Sequence, residues 1–279
     1  MTPYNPFRHL CRSIFCGKSD YMMFAAYFDD SGTHSKSRVA TVAGYISNVG
    51  QWDIFNKEWA ACLKDFKVKE MHRSDLESFE EEFLESNGWN PNRRKAFLQK
   101  LHPIMKKRTK VAIGSAVIRE TFEEIVPETI KKLFGGVYGW CAHECITLAR
   151  IWAEKCQRKN IPPMQWVFEA GTTGYGQVDQ MFQSLNARAD LRADWRIKGW
   201  SFQGKDVLPL QAADVIAYEV YKHVENQILD KGEKHDIRFS MADLFRECDV
   251  NYLKWWSRDR LIEWVNTATL NGKPLKDYK

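Results

Sequence analysis

Three acidic residues of this chain stand where the surrounding sequence resists charge: Asp29, Glu169 and Asp214. Asp29, with Asp30 beside it, follows the apolar run FAAYF and precedes Ser31 and Gly32. Side chains alternate along a strand, so only one of the two aspartates can reach a given face. A turn role through side-chain to backbone hydrogen bonds accounts for one of them and leaves the other unexplained. Glu169 ends the apolar run MQWVF, and strand ends are where sites assemble in α/β sheets. Asp214 lies in LPLQAADVIAYEVY, which as a helix is apolar around most of its circumference and so buried against a sheet. It stands five residues past Pro209, beyond the reach of capping and of the helix dipole. Gln211 and Tyr218, three before it and four after, share its stripe and make a narrow polar seam.

A buried carboxylate must be paired, hydrogen-bonded, metal-bound or protonated. Carboxylates brought together raise one another's pKa, and a divalent cation removes the repulsion. Mg2+ takes oxygen ligands, often only one or two carboxylates directly, and fills its shell with water and phosphate. Two such ions about 4 Å apart stabilise both the attacking and the leaving oxygen of a phosphodiester displacement. The expectation is therefore one site for Mg2+ or Mn2+ built from Asp29, Glu169 and Asp214. Lys205, in GKDVLPL, is placed to meet a phosphate, with a solvated loop lysine as the plainer alternative. His72, in KEMHRSDL, is the candidate proton carrier or phosphate contact, against a structural role.

The elements that must position these residues follow from periodicity. Met22 to Phe28 reads as a strand stopped by the turn-forming Asp29-Asp30-Ser31-Gly32, with Val39 to Ile46 as its hairpin partner. Gln51 to Phe66 is predicted helical from the spacing of Trp52, Phe55, Trp59 and Leu63. The charged stretch 78–95 reads as a mobile insertion, followed by a helix from Pro91 to Lys107 capped by Asn90. Val111 to Val117 is a third strand. A helix of about twenty residues runs from Gly135-Gly136 to near Lys159. Met164 to Phe168 and Trp195 to Phe202 are further strands, Gln177 to Ala187 and Leu208 to Gln227 further helices. The part from Ala242 to about Ala268, with Trp255, Trp256 and Trp264, is predicted helical. Hairpin strands first and strand–helix alternation later predict an α/β fold, a mixed sheet covered by helices. The expected organisation is a loose tail over 1–21 and one domain over 22–279, with a helical insertion near 78–107 and a helical C-terminal extension from about 242.

In 279 residues, 44% hydrophobic, there is material for a large core. No apolar run reaches the roughly 18 residues of a membrane span, and the first twenty do not read as a secretory signal. A net charge of +5 permits a polyanionic partner without demanding one. Seven cysteines without an export signal read as reduced thiols of a cytoplasmic protein. Cys141, Cys145 and Cys156 fall with Leu148 and Trp152 on one helical stripe and pack as small hydrophobes. His143 lies about 200° around that helix from Cys141, so zinc is a poor fit there. Cys11 and Cys16, with His9, lack a second ligand pair.

Four segments together resemble the domain-of-unknown-function 3800 family: Phe28-Asp29-Asp30-Ser31-Gly32, Lys69-Glu70-Met71-His72, Val167-Phe168-Glu169, and Leu210 through Tyr218. The likeness covers most of residues 22–227. It implies a ribonuclease-H-like mixed β-sheet flanked by helices, here with additional C-terminal helices, holding divalent metal to cleave a nucleic-acid backbone. Carried over by position, Asp29, Glu169 and Asp214 are the metal ligands. Asp30 stands where the family more often has Glu, as a further ligand or a supporting group, and Glu169 stands where relatives often carry Asp. His72 joins the catalytic set, and Lys205 and Gln211 are assigned to substrate contact. The expected function is a metal-dependent nuclease. A non-catalytic nucleic-acid- or protein-binding module on the same scaffold is the alternative, its eleven tryptophans offering stacking surface. A two-acid glycosidase ranks last, since no sugar platform is evident.

Overall fold

A computed structural model describes residues 24–32, 36–155, 164–171, 174–187, 197–229, 241, 244 and 252–270. The expected N-terminal tail lies outside the described residues, as do His9, Cys11, Cys16 and Cys156.

The centre is one six-stranded mixed sheet. Strand β1 (Phe24–Ser31) pairs antiparallel with β2 (Val39–Asn48), which pairs antiparallel with β3 (Val111–Ile118). On the other side of β1 lie β4 (Met164–Glu169) and β5 (Ile197–Gln203), all three parallel. The order is β5-β4-β1-β2-β3, with a short β6 (Leu253–Trp256) parallel to the outer edge of β3.

Helices cover both faces, and strand alternation divides the core between them. Ala25, Tyr27, Ala43, Tyr45 and Val167 pack under α1 (Val49–Phe66), the short α2 (Arg73–Ser78), α3 (Pro91–Arg108) and the long α8 (Leu208–Leu229). Phe24, Ala26, Phe28, Val42, Trp166 and Phe168 face the other layer. That layer is built from α4 (Arg119–Ile125), α5 (Glu128–Phe134), α6 (Val137–Lys155), α7 (Tyr175–Asn186) and α9 (Arg258–Leu270). Among the described residues no helix is long and apolar enough to cross a membrane.

Three expectations change. First, β1 does not stop at Phe28: Asp29, Asp30 and Ser31 continue the ladder opposite Ala43, Val42 and Thr41. The turn begins only at Gly32, whose φ of +77° and whose missing Cβ, which would stand 2.1 Å from the Val39 carbonyl oxygen, make glycine necessary there. Second, the charged stretch before α3 is packed, not loose. Two 3-10 turns (Glu81–Phe83, Glu85–Asn87) bury Phe83 and Trp89 against Phe97, so their exposed glutamates had masked an aromatic anchor. Third, Trp255 and Trp256 belong to a strand rather than a helix: they pair in parallel with Ala116 and Val117 of β3. The helical cap on α3 is as expected, with Asn90 Oδ1 accepting from the backbone N–H groups of Asn92 and Arg93 at 3.0 Å. Cys141 and Cys145 are buried on α6 with their thiols toward the Ala40 and Val42 carbonyls, as small hydrophobes.

Candidate functional site

β1 and β4 run side by side in parallel, with Phe28 in register with Phe168. One residue further on, both strands therefore offer an acid to the α8 face, Asp29 from β1 and Glu169 from β4, on the side opposite the two phenylalanines. α8 crosses that face and brings Asp214 down on them. The three carboxylates converge on one ammonium: Lys205 Nζ stands 3.7 Å from Asp29 Oδ2, 3.5 Å from Glu169 Oε2 and 3.4 Å from Asp214 Oδ2. Lys205 lies in the turn that leads into α8, and its side chain is only 6% exposed. The sequence offered it as a phosphate contact, with a solvated loop lysine as the plainer alternative; it lies instead at the centre of the cluster.

The electrostatics follow from that placement. Burial pushes the Asp29 carboxyl well above its ordinary range and a hydrogen bond with Glu169 adds to the shift; the Lys205 ammonium outweighs the repulsion from Asp214 but offsets only part of the whole. Burial alone would lower the Lys205 ammonium, but Asp214, Asp29 and Glu169 together hold it above the usual lysine range. A carboxyl whose folded pKa is raised leaves stability intact below its unfolded pKa and loses it as pH rises from there through the folded value. Asp29→Asn removes that loss. The variant is expected to unfold at a higher temperature than the parent at neutral pH without metal, with the difference vanishing below about pH 4, the unfolded carboxyl range. Thermal melts across pH read it; a variant less stable at pH 7 would contradict this account of Asp29.

The polar seam on α8 meets residues 71–73. Gln211 Oε1 accepts from Trp59 Nε1 at 2.8 Å and from the Met71 backbone N–H at 3.1 Å, while its Nε2 donates to the Lys205 carbonyl at 2.8 Å. Asp214 Oδ2 accepts from the Arg73 backbone N–H at 2.6 Å. The Arg73 guanidinium, buried, holds Glu219 and lies 4.9 Å from the Tyr218 ring centroid.

Three assignments from the sequence change accordingly. Gln211 is not a substrate contact: its amide is spent inside the core, tying α1, the 71–73 segment and the Lys205 turn to α8. Asp30 is not brought to the carboxylates, because alternation turns it to the opposite face, near Gly174, Tyr138 and Arg119. His72 alternates outward between buried Met71 and Arg73; its side chain is 40% exposed and its Nδ1 lies 2.9 Å from Ser74 Oγ and 3.0 Å from Asp75 Oδ1. Arg73 and the central role of Lys205 are what sequence reasoning missed. Gln211→Leu is expected to leave the Trp59 and Met71 donors unpaired and to cost about 2–4 kcal/mol, by the usual penalty for buried unsatisfied groups. A melt should show it as a fall of several degrees; an unchanged midpoint would remove Gln211 from this role.

Three carboxylates around one centre are the hard oxygen donors that Mg2+ and Mn2+ take. Among the described residues, no group of three or more His, Cys, Asp or Glu side chains is placed so that it could hold a metal ion as the side chains stand. The oxygens surround the ammonium at 3.4 to 3.7 Å, wider than the roughly 2.1 Å of a Mg–O bond. The donor set fits the ion in kind and face, and ligation requires the ring of oxygens to close. Comparison with protein-family models, with curated proteins and with solved structures finds no match.

Proposed function

We infer that this chain is a divalent-metal-dependent nuclease, a phosphodiester hydrolase in which Asp29, Glu169 and Asp214 hold Mg2+ or Mn2+. The observation that carries the reading is the convergence of three carboxylates, drawn from β1, β4 and α8, on one cation position. A protein gains nothing in stability by burying three like charges together. A bound ion would supply charge neutralisation for the phosphate and a more acidic water. The chain's own part is to fix the ligands: the β1–β4 register sets Asp29 beside Glu169, and the Arg73 N–H orients Asp214. A mixed sheet with helices on both faces is what the motif resemblance to the domain-of-unknown-function 3800 family implies, and we propose the ribonuclease-H-like fold on that ground. The net charge of +5 is compatible with a nucleic-acid substrate. The free buried thiols of Cys62, Cys141 and Cys145 suit a reducing compartment, which we take to be the cytoplasm.

One observation favours a second reading, a non-catalytic nucleic-acid- or protein-binding module. Lys205 already supplies the cluster with a positive charge, so a buried salt-bridge network can stand without metal. The test is hydrolysis of RNA, DNA and an RNA–DNA hybrid with Mg2+ or Mn2+, with and without chelator. Cleavage that survives chelation rules out the metal mechanism. Tight nucleic-acid binding without calorimetric metal binding favours the module.

A further inference from the structure

The carboxylate cluster has a cation built into the chain, and its position is the one a ligand ion would need. Lys205 Nζ is shared among three oxygens at 3.4, 3.5 and 3.7 Å. A charge-assisted hydrogen bond to one carboxylate is typically about 2.7–2.9 Å. The longer and nearly equal distances describe an ion shared around a ring, with only a long hydrogen bond to its nearest member, Asp214. A divalent ion cannot join it there, since ammonium and metal repel at short range inside the protein. Nor can the oxygens close to a metal shell while the ammonium keeps them apart.

The lysine's backbone and its head group are secured differently. The Lys205 carbonyl accepts from Gln211 Nε2 at 2.8 Å, and the Val207 N–H bonds the Gly204 carbonyl at 3.0 Å, so the turn is fixed to α8. The head is held by its ion pairs with the three carboxylates and a hydrogen bond with Asp214, on a flexible four-carbon stem.

We propose that Lys205 is an exchangeable internal cation. Its ammonium holds Asp29, Glu169 and Asp214 together when metal is absent, and a divalent ion binds by displacing it, freeing the lysine to face the phosphate of a substrate. This rests on the metal reading above. It adds that metal affinity is set by competition within the chain, and that the lysine reaches a substrate only after the ion has entered.

The experiment compares the full chain with Lys205→Met, which keeps the stem and removes the charge, using Mn2+ alone as probe. Calorimetry is expected to show Mn2+ binding at least tenfold more tightly to the variant. Thermal melts are expected to show a lower midpoint without metal and a larger rise on adding Mn2+. Should the variant fail to fold, the parent supplies the second measurement: acetylation of Lys205, followed by mass spectrometry, should accelerate several-fold with Mn2+ bound. Mn2+ binding to the parent with unchanged or weaker binding to the variant, or unchanged acetylation, overturns the exchange and leaves the metal site standing. Absence of Mn2+ binding to both proteins overturns the metal reading and the exchange with it.

Discussion

Asp214→Asn is expected to lower Mn2+-dependent phosphodiester hydrolysis by about a hundredfold or more and to leave the fold intact. Asparagine keeps the shape of the side chain and keeps an oxygen to accept from the Arg73 N–H, which now meets Asp214 Oδ2 at 2.6 Å. What it removes is one negative charge from a site with three carboxylates and one ammonium. Changing a supporting partner of a metal ligand typically costs 10–100-fold in affinity or activity, and loss of a ligand's charge should cost at least as much. The melting midpoint of the metal-free protein should change little, because relief of the repulsion with Asp29 offsets the lost attraction to Lys205. Activity falling with stability unchanged separates a ligand role from a structural one. Full activity in Asp214→Asn, measured at saturating Mn2+, would falsify the assignment of this carboxylate to the metal.

The residues that signal this site were legible because each violates a local rule. Asp214 is a charge on a helix with almost no polar face, and Glu169 ends an apolar strand. Both anomalies resolve at the cluster. The same logic divided Asp29 from Asp30 by alternation but could not say which one faces α8. That depends on the register with β2 and on which layer α8 joins, neither of which is local. The periodic elements were legible for the same reason: α1, α3 and α8 are long, and each buries a stripe that recurs every three or four residues. The short α4 and α5 went unread, and the strand β6 was read as helix. Seven residues hold under two helical turns, and four hold only two alternations.

Lys205 and Arg73 were hidden by a different cause. Nothing in GKDVLPL distinguishes a lysine that ends in solvent from one whose head is enclosed, since the difference lies in three carboxylates up to 176 positions away (Lys205 against Asp29). Arg73 was passed over because its neighbour His72 is the residue type more often associated with catalysis. In the chain these two alternate, so an outward His72 places Met71 and Arg73 on the inward side. The helical seam of Gln211, Asp214 and Tyr218 was the available clue: three polar positions on one buried stripe need a polar counterpart, and 71–73 is the segment that supplies it.

That counterpart gives the largest expected effect on stability. Arg73→Met should cost about 3–5 kcal/mol, the usual range when one partner of a buried ion pair is removed. Arg73 is 1% exposed and Glu219 is fully buried; Nε and Nη2 donate to Glu219 Oε1 at 3.0 and 2.7 Å, and Nη1 donates to Glu77 Oε2 at 2.8 Å. Methionine fills much of the volume but leaves Glu219 buried without the guanidinium. For a protein of this size about 2–4 °C accompanies each kcal/mol, so the midpoint should fall by roughly 10 °C. The double variant Arg73→Met with Glu219→Leu removes both charges and should recover most of the loss, since replacing a whole buried pair with apolar groups is often neutral. Mn2+ affinity then separates two roles for Arg73. If it acts only by seating its own backbone N–H on Asp214, affinity returns with stability in the double variant. If the buried pair also holds Asp214 at the right depth, affinity stays low in a protein that is again stable. A single variant that loses less than about 1 kcal/mol would place the pair among networks of no net worth, a known outcome for salt bridges, and would remove Arg73 as the strut between α2 and α8.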